Sequence, residues 1–160
     1  MRFLWIELLI RIAFIVIGGY LIFTKVFLIG QVSGMDMFPA LKDGDAYAAF
    51  CLQEDYERGD VIVYELDGKR RVGRIVAVTN DTVEIGQDGV LRVNGTAEDA
   101  EITFATYPLS EEAINCPVSS DCFYVLGDYR TQAEDSRVLG EIHRSEICGK
   151  IITILRRQSL

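Results

Sequence analysis

The stretch Arg58–Ile85, RGDVIVYELDGKRRVGRIVAVTNDTVEI, decides the fold. Val61–Leu66 is rich in β-branched and aromatic residues and alternates as a half-buried strand does. Asp67-Gly68 follows at once, and a two-residue loop of that composition joins hairpin strands because both residues tolerate positive φ. Arg70–Val78 is then the returning strand. The same grammar continues outward. Upstream, Ala46–Cys51 is a strand candidate. Downstream, Thr82–Ile85 and Val90–Val93 bracket Gln87-Asp88-Gly89 as a second hairpin, and Asn94-Gly95 marks a further turn. Ile102–Ala105, Cys122–Leu126 and Ile147–Leu155 complete the set, with room for a short helix around Glu111–Asn115. There is no long amphipathic helix here, no internal repeat and no low-complexity linker. The expected fold class is mainly β: one antiparallel, partly closed, barrel-like domain over residues 31–160.

One segment obeys a different rule. Leu8–Gly30 is almost wholly aliphatic and aromatic, and a helix of roughly 20 such residues crosses a bilayer. Its two charges, Arg11 and Lys25, lie near the ends, where long basic side chains reach the headgroups. Residues 1–30 are therefore expected to be a membrane anchor that contacts lipid through residues 8–30. A cleaved signal peptide is the competing reading. The run is too long for one, and Gly30-Gln31-Val32-Ser33-Gly34 makes a poor cleavage site. The favoured orientation puts the N-terminus in the cytoplasm and residues 31–160 outside, although Glu7 offsets Arg2 and Arg11, and Lys25 lies at the far end.

The formal charge of the 160 residues is −8, with one basic run at Lys69, Arg70 and Arg71. An acidic chain lacks the basic face that nucleic acid requires. Four cysteines and one histidine, His143, give no zinc-type spacing, so neither a metal nor a cofactor is expected. Cys116 and Cys122 flank a short loop and can either bridge it or remain free. Cys51 and Cys148 lie in apolar runs, as core residues or as a second bridge.

Three segments carry the chemistry. The first is Gly34-Met35-Asp36-Met37-Phe38-Pro39-Ala40-Leu41, closing with Asp43-Gly44-Asp45. The second is Arg58-Gly59-Asp60-Val61-Ile62-Val63, followed by Arg71-Val72-Gly73-Arg74-Ile75-Val76 and Asn80-Asp81-Thr82-Val83. The third is Gly127-Asp128-Tyr129-Arg130-Thr131-Gln132-Ala133-Glu134-Asp135-Ser136-Arg137. In this order, after an N-terminal anchor, they resemble the motif boxes of the type I signal peptidases, which read G-x-S-M-x-P-T-L, R-G-D-V-V-V with V-K-R-I-I-G, and G-D-N-R-x-x-S-x-D-S-R. Gly34, Met37, Pro39, Arg74, Gly127, Asp128, Asp135, Ser136 and Arg137 match. By this resemblance Asp36 stands where the family has its nucleophilic serine. Gly73 stands at the catalytic lysine, and Ala133 at a serine that orients that lysine.

The substitutions remove a mechanism. A serine hydroxyl attacks an amide only after a base takes its proton, and the base in this family is a lysine kept neutral by burial. A carboxylate at 36 is a feeble nucleophile, glycine at 73 accepts no proton, and alanine at 133 orients nothing. Lys69 lies four residues before Gly73, about 13 Å along a strand at ~3.3 Å per residue. Arg71 does not deprotonate. His143 falls at no family position and reads as a surface residue. An aspartic-protease-like pair would need a second carboxylate beside Asp36, with Asp128 and Asp135 as candidates. The family, however, uses Asp135 and Arg137 as a structural pair beneath its site.

The resemblance implies that a peptide groove remains, with Gly34, Met35, Asp36, Met37, Phe38 and Pro39 on its rim. Such a groove holds an extended peptide by strand addition, which needs neither serine nor lysine. Met35, Met37 and Phe38 either present flexible apolar surface there, or Met37 and Phe38 pack inward. Catalytically degenerate relatives of this kind occur in pilus gene clusters of Gram-positive bacteria, streptococci among them, and are required there for sortase-dependent pilin assembly. The resemblance therefore implies a non-catalytic accessory or chaperone-like factor whose partners are a pilin subunit, a sortase or both. An active peptidase with altered chemistry and a regulator of an authentic signal peptidase are the alternatives.

Overall fold

In a computed structural model of the chain, residues 2–98, 104–109, 111 and 114–156 are described, residues 2–4 by backbone alone. Helix α1 spans Arg2–Val26. Its segment Trp5–Val26 has a mean hydropathy of 2.2, and none of its most apolar stretch is buried within the chain. That segment is about 33 Å long at ~1.5 Å per residue, enough to cross a hydrocarbon core. An apolar helix exposed over most of its length is consistent with a single pass through a membrane.

The helix stops four residues before the boundary expected at Gly30. Phe27–Gln31 forms strand β1 instead, paired antiparallel with β2 (Ala46–Phe50) from Phe27↔Phe50 to Gln31↔Ala46. Hydropathy cannot separate the two, since both the end of the helix and β1 are apolar. The long-range pairing with β2 decides the conformation.

The remaining elements are β3 (Val61–Leu66), β4 (Lys69–Ala77), β5 (Thr82–Ile85), β6 (Leu91–Val93), β7 (Thr96–Ala97), β8 (Asn115–Pro117), β9 (Cys122–Leu126), α2 (Ser136–Leu139), β10 (Ile142–His143) and β11 (Ile147–Leu155). They form a seven-stranded sheet in the order β1-β2-β11-β3-β4-β9-β10 and a four-stranded sheet in the order β7-β6-β5-β8. All described pairings are antiparallel, and neither sheet is hydrogen-bonded into a closed barrel. The fold is thus mainly antiparallel β behind one apolar helix, as expected. The β3–β4 hairpin turns through Asp67-Gly68 at φ 52° and 72°, and β6–β7 through Asn94-Gly95 at φ 53° and 76°. These are the positive-φ pairs that match the right-handed strand twist.

Asn115 lies in β8 rather than in a short helix; residues 112 and 113 of that expected helix lie outside the described residues. Of the expected strand Ile102–Ala105, residues 102 and 103 lie outside them as well, and Phe104 and Ala105 are not in a strand.

Strand β3 does not alternate as expected: Ile62, Val63 and Tyr64 are all buried, because the strand is covered on both faces. Val63 joins Val32, Met37, Leu41, Tyr47 and Ala49 on one side. Ile62 and Tyr64 join Ile75, Phe123, Val125 and Ile142 on the other. A third cluster, including Val83, Ile85, Leu91, Val93 and Val118, fills the small sheet. The three motif segments meet where the first two clusters adjoin.

Candidate functional site

The first segment is a loop pinned at both ends. Val32 N–H donates to Asp45 O at 2.8 Å, and Gly44 N–H to Val32 O at 3.0 Å. Gly34 N–H donates to Asp43 Oδ1 at 2.8 Å. Met37 and Leu41 plug into the core and are each 1 % exposed, burial that stabilises by roughly 1.5–3 kcal/mol per side chain. Met37 is therefore a core residue and not part of a binding rim. Met35 stays exposed. Phe38 is half-buried against Tyr129 at 5.9 Å and Phe104 at 6.4 Å between ring centroids. Phe38-Pro39 is a cis peptide. With Met37 held inward, Asp36 faces a cleft of about 180 Å³ lined among others by Gly30, Gln31, Tyr47, Arg70 and Arg71.

The third segment holds Asp36 from below. Tyr129 N–H donates to Asp36 O at 2.8 Å. A Cβ on Gly127 would lie 2.3 Å from Ala133 Cβ and 2.6 Å from Asp36 O, so only glycine allows this approach. Asp135 caps α2 by accepting from Arg137 N–H at 3.2 Å, and accepts from Gly127 N–H at 3.1 Å. Its two oxygens also take the Arg137 guanidinium at 2.8 Å each. Ser136 Oγ accepts from Val125 N–H at 2.9 Å. Arg74 makes the matching fork to Asp128, at 2.8 and 2.7 Å. Both candidate partners of an aspartic dyad are thus bound to guanidinium groups, and an Asp36-centred carboxylate pair has no free second member.

The space beside Gly73, where the resemblance puts a lysine, is filled. Gly73 lies in β4 opposite Ile62, and a Cβ there would meet Val125 Cγ1 at 2.5 Å and Tyr64 Cε1 at 3.4 Å. Both neighbours are buried, so the space where a lysine stem would start belongs to a β-branched side chain and an aromatic ring. Burial pushes the Tyr64 hydroxyl well above the usual tyrosine range; the Arg71 charge opposes this, and Asp135, Asp36 and Glu134 add to it. Those same groups surround Asp36. Burial first, then Asp135 and Glu134, raise its carboxyl above the ordinary 3.8, against Arg71.

Several residues of this region were not singled out as functional from the sequence. Arg130 is 1 % exposed. It grips both Glu98 oxygens at 2.6 Å, Thr106 Oγ1 at 2.6 Å and Gly127 O at 2.9 Å. Its place in the third segment was the available signal. Asp81 draws in Val78 N–H, Asn94 Nδ2 and the Arg58 guanidinium. Tyr64 gave no signal, because a tyrosine in an apolar strand reads as core. Lys69 is exposed at the turn end of β4. His143 caps the turn Arg144–Glu146, its Nδ1 accepting from Ser145 N–H at 3.2 Å. Cys51, Cys122 and Cys148 are in no disulfide, so the Cys116–Cys122 bridge that the short loop permits is not formed. Cys116 Sγ instead lies 4.0 Å from Glu141 Oε1.

One apolar helix leading into an antiparallel β domain, with paired Arg–Asp forks beneath a cleft at its first loop, defines a protein of the signal peptidase class. The chain belongs to that family: the description "Signal peptidase, peptidase S26" matches residues 4–155. It is 28 % identical over 156 residues to signal peptidase IB of Staphylococcus aureus strain N315, covering 81 % of each chain. It is 28 % identical over 137 residues to signal peptidase I of Bacillus caldolyticus, covering 75 % of this chain and 74 % of that one. The crystal structure of a signal peptidase I from Enterococcus faecalis V583 superimposes with a TM-score of 0.53 at 23 % identity. It covers 62 % of this chain and 98 % of the other, and supports the fold alone.

Proposed function

We propose that this chain is a non-catalytic member of the signal peptidase family that binds an extended polypeptide segment at the outer face of the membrane. The observation that carries the reading is the filled lysine position. A base at 73 would need Val125 and Tyr64 to give way, and a carboxylate at 36 supplies no alkoxide. The supporting geometry is a pair of open strand edges beside the cleft. Strand β1 is at the edge of its sheet. Strand β4 pairs with β3 over Lys69–Arg74 but with β9 only from Arg74 onward. A peptide strand has backbone partners there without any catalytic group.

The resemblance to degenerate relatives in pilus gene clusters extends this to a role. The chain serves as an accessory factor in sortase-dependent pilus assembly, engaging a pilin subunit, a sortase or both. Its N-terminus is cytoplasmic and residues 31–160 lie outside. Deleting the gene should abolish sortase-dependent pilin polymers in cell-wall extracts, and the purified full chain should leave a preprotein uncut. Cleavage that disappears in Asp36→Ala would instead establish an active peptidase, the reading favoured by the names of the relatives. Crosslinking in intact membranes that captures an authentic signal peptidase, and neither pilin nor sortase, would make the chain that enzyme's regulator.

A further inference from the structure

The charges around the cleft do not balance. Arg71 Nη2 lies 3.3 Å from Glu134 Oε2, and its Nη1 donates to Leu66 O at 3.2 Å. Arg70 Nη2 lies 3.5 Å from Glu65 Oε2. Each guanidinium lining the cleft therefore faces a carboxylate of its own. Asp36 brings a third carboxylate, and among the described residues no side chain or backbone N–H donates to it. It is half-buried on the cleft wall, and buried Met37 fixes its loop. Asp36 shares the Arg71 charge with Glu134 and is held by no donor, and a partly desolvated carboxylate so incompletely answered costs free energy that a ligand of opposite charge recovers.

The walls narrow the choice of ligand. Half-buried Val72 lines the cleft beside Asp36, over the buried Val32 and Met37. An aliphatic stem lies well against such a surface while its charged end reaches a polar group. An ammonium is a compact charge with three donors, suited to one carboxylate, whereas a guanidinium fork draws its advantage from bidentate planar pairing. Neutral or acidic side chains leave Asp36 unanswered. We propose that the cleft takes an extended polypeptide segment and reads a lysine side chain in it through Asp36, with the stem against Val72. This rests on the strand-addition reading above and adds the chemistry of the side chain that is selected.

The test uses the full chain in detergent micelles and three fluorescent, end-blocked hexapeptides of sequence Ala-Val-Ala-X-Ala-Val, with X as lysine, glutamine or glutamate. Binding is followed by anisotropy at low salt. The lysine peptide should bind about tenfold more tightly than the glutamine peptide, as a half-buried pair allows. In Asp36→Asn, shown folded by an intact melting transition, that advantage should disappear. Equal affinity for lysine and glutamine, or an advantage that survives Asp36→Asn, would overturn the proposal while leaving strand addition standing. Tightest binding of the glutamate peptide would overturn it in favour of Arg70 and Arg71 as the readers. Failure of all three peptides to bind would remove the strand-addition reading itself.

Discussion

Asp36 and Asp135 are carboxylates of the same site, and their surroundings differ at every point. Asp135 is 2 % exposed and accepts from both sides of the Arg137 guanidinium, from the Arg137 N–H and from Gly127 N–H. Asp36 faces the cleft with no donor among the described residues and with its carboxyl raised by burial. Asp135 matches the signal peptidase pattern and Asp36 departs from it. A buried ion pair is hard to change one member at a time, because the survivor is left charged and unpaired. A nucleophile has no such hold on the fold. Once cleavage ceases to matter, position 36 is free to change while 135 and 137 stay.

Breaking the floor tests this first and gives the largest effect. Asp135→Ala strands the Arg137 guanidinium and uncaps α2, and is expected to cost roughly 3–5 kcal/mol. Denaturant unfolding of the full chain in detergent measures it. A loss below about 1 kcal/mol would put the two aspartates on the same footing and end the comparison.

The lysine position gives an intermediate effect. Gly73→Lys forces a side chain against Val125 Cγ1 and is expected to cost about 1–3 kcal/mol as overpacking. Val125→Ala opens a cavity on its own, yet the two changes together should cost less than their sum, because the alanine vacates what the lysine enters. Exact additivity in this double-mutant cycle would mean that Val125 does not obstruct the site. Restoring Asp36→Ser and Gly73→Lys while Val125 remains should yield no preprotein cleavage.

The sequence was read most accurately where a strand's own neighbours determine it. Val61–Leu66, Thr82–Ile85, Cys122–Leu126 and Ile147–Leu155 end where alternation and turn residues end them. It was read poorly where a distant partner decides. Phe27–Gln31 looks like more membrane helix and is a strand because Ala46–Phe50 pairs with it. Thr96–Ala97 and Asn115–Pro117 are too short to show any period. At the site, the resemblance implied the pair of Asp135 and Arg137 but not the fork of Arg74 with Asp128, and the altered positions were visible by comparison with the family pattern. Tyr64 and Val125, which fill the space of the missing lysine, were not visible. Nothing in an apolar strand announces which of its side chains lies over a glycine on the next.

The smallest effect belongs to Asp36, and its sign sets it apart from an ion-paired carboxylate. Burial raises its carboxyl in the folded chain above the ordinary 3.8, so the native state binds a proton that the unfolded chain releases. Ionised Asp36 then works against the fold at neutral pH. Its contribution improves as pH falls through the raised folded value, and is fully relieved below the unfolded one. Asp36→Asn should therefore be slightly more stable than the parent at neutral pH, with the difference shrinking as the pH is lowered through that window and vanishing below it. Loss of a carboxylate held by donors, as Asp135 is, destabilises instead, because the donors are left without an acceptor. Paired melting curves of parent and Asp36→Asn across the acid range separate the two cases. An Asn variant less stable than the parent at neutral pH would show that Asp36 is bound within the fold, and so is not a group left open for a ligand.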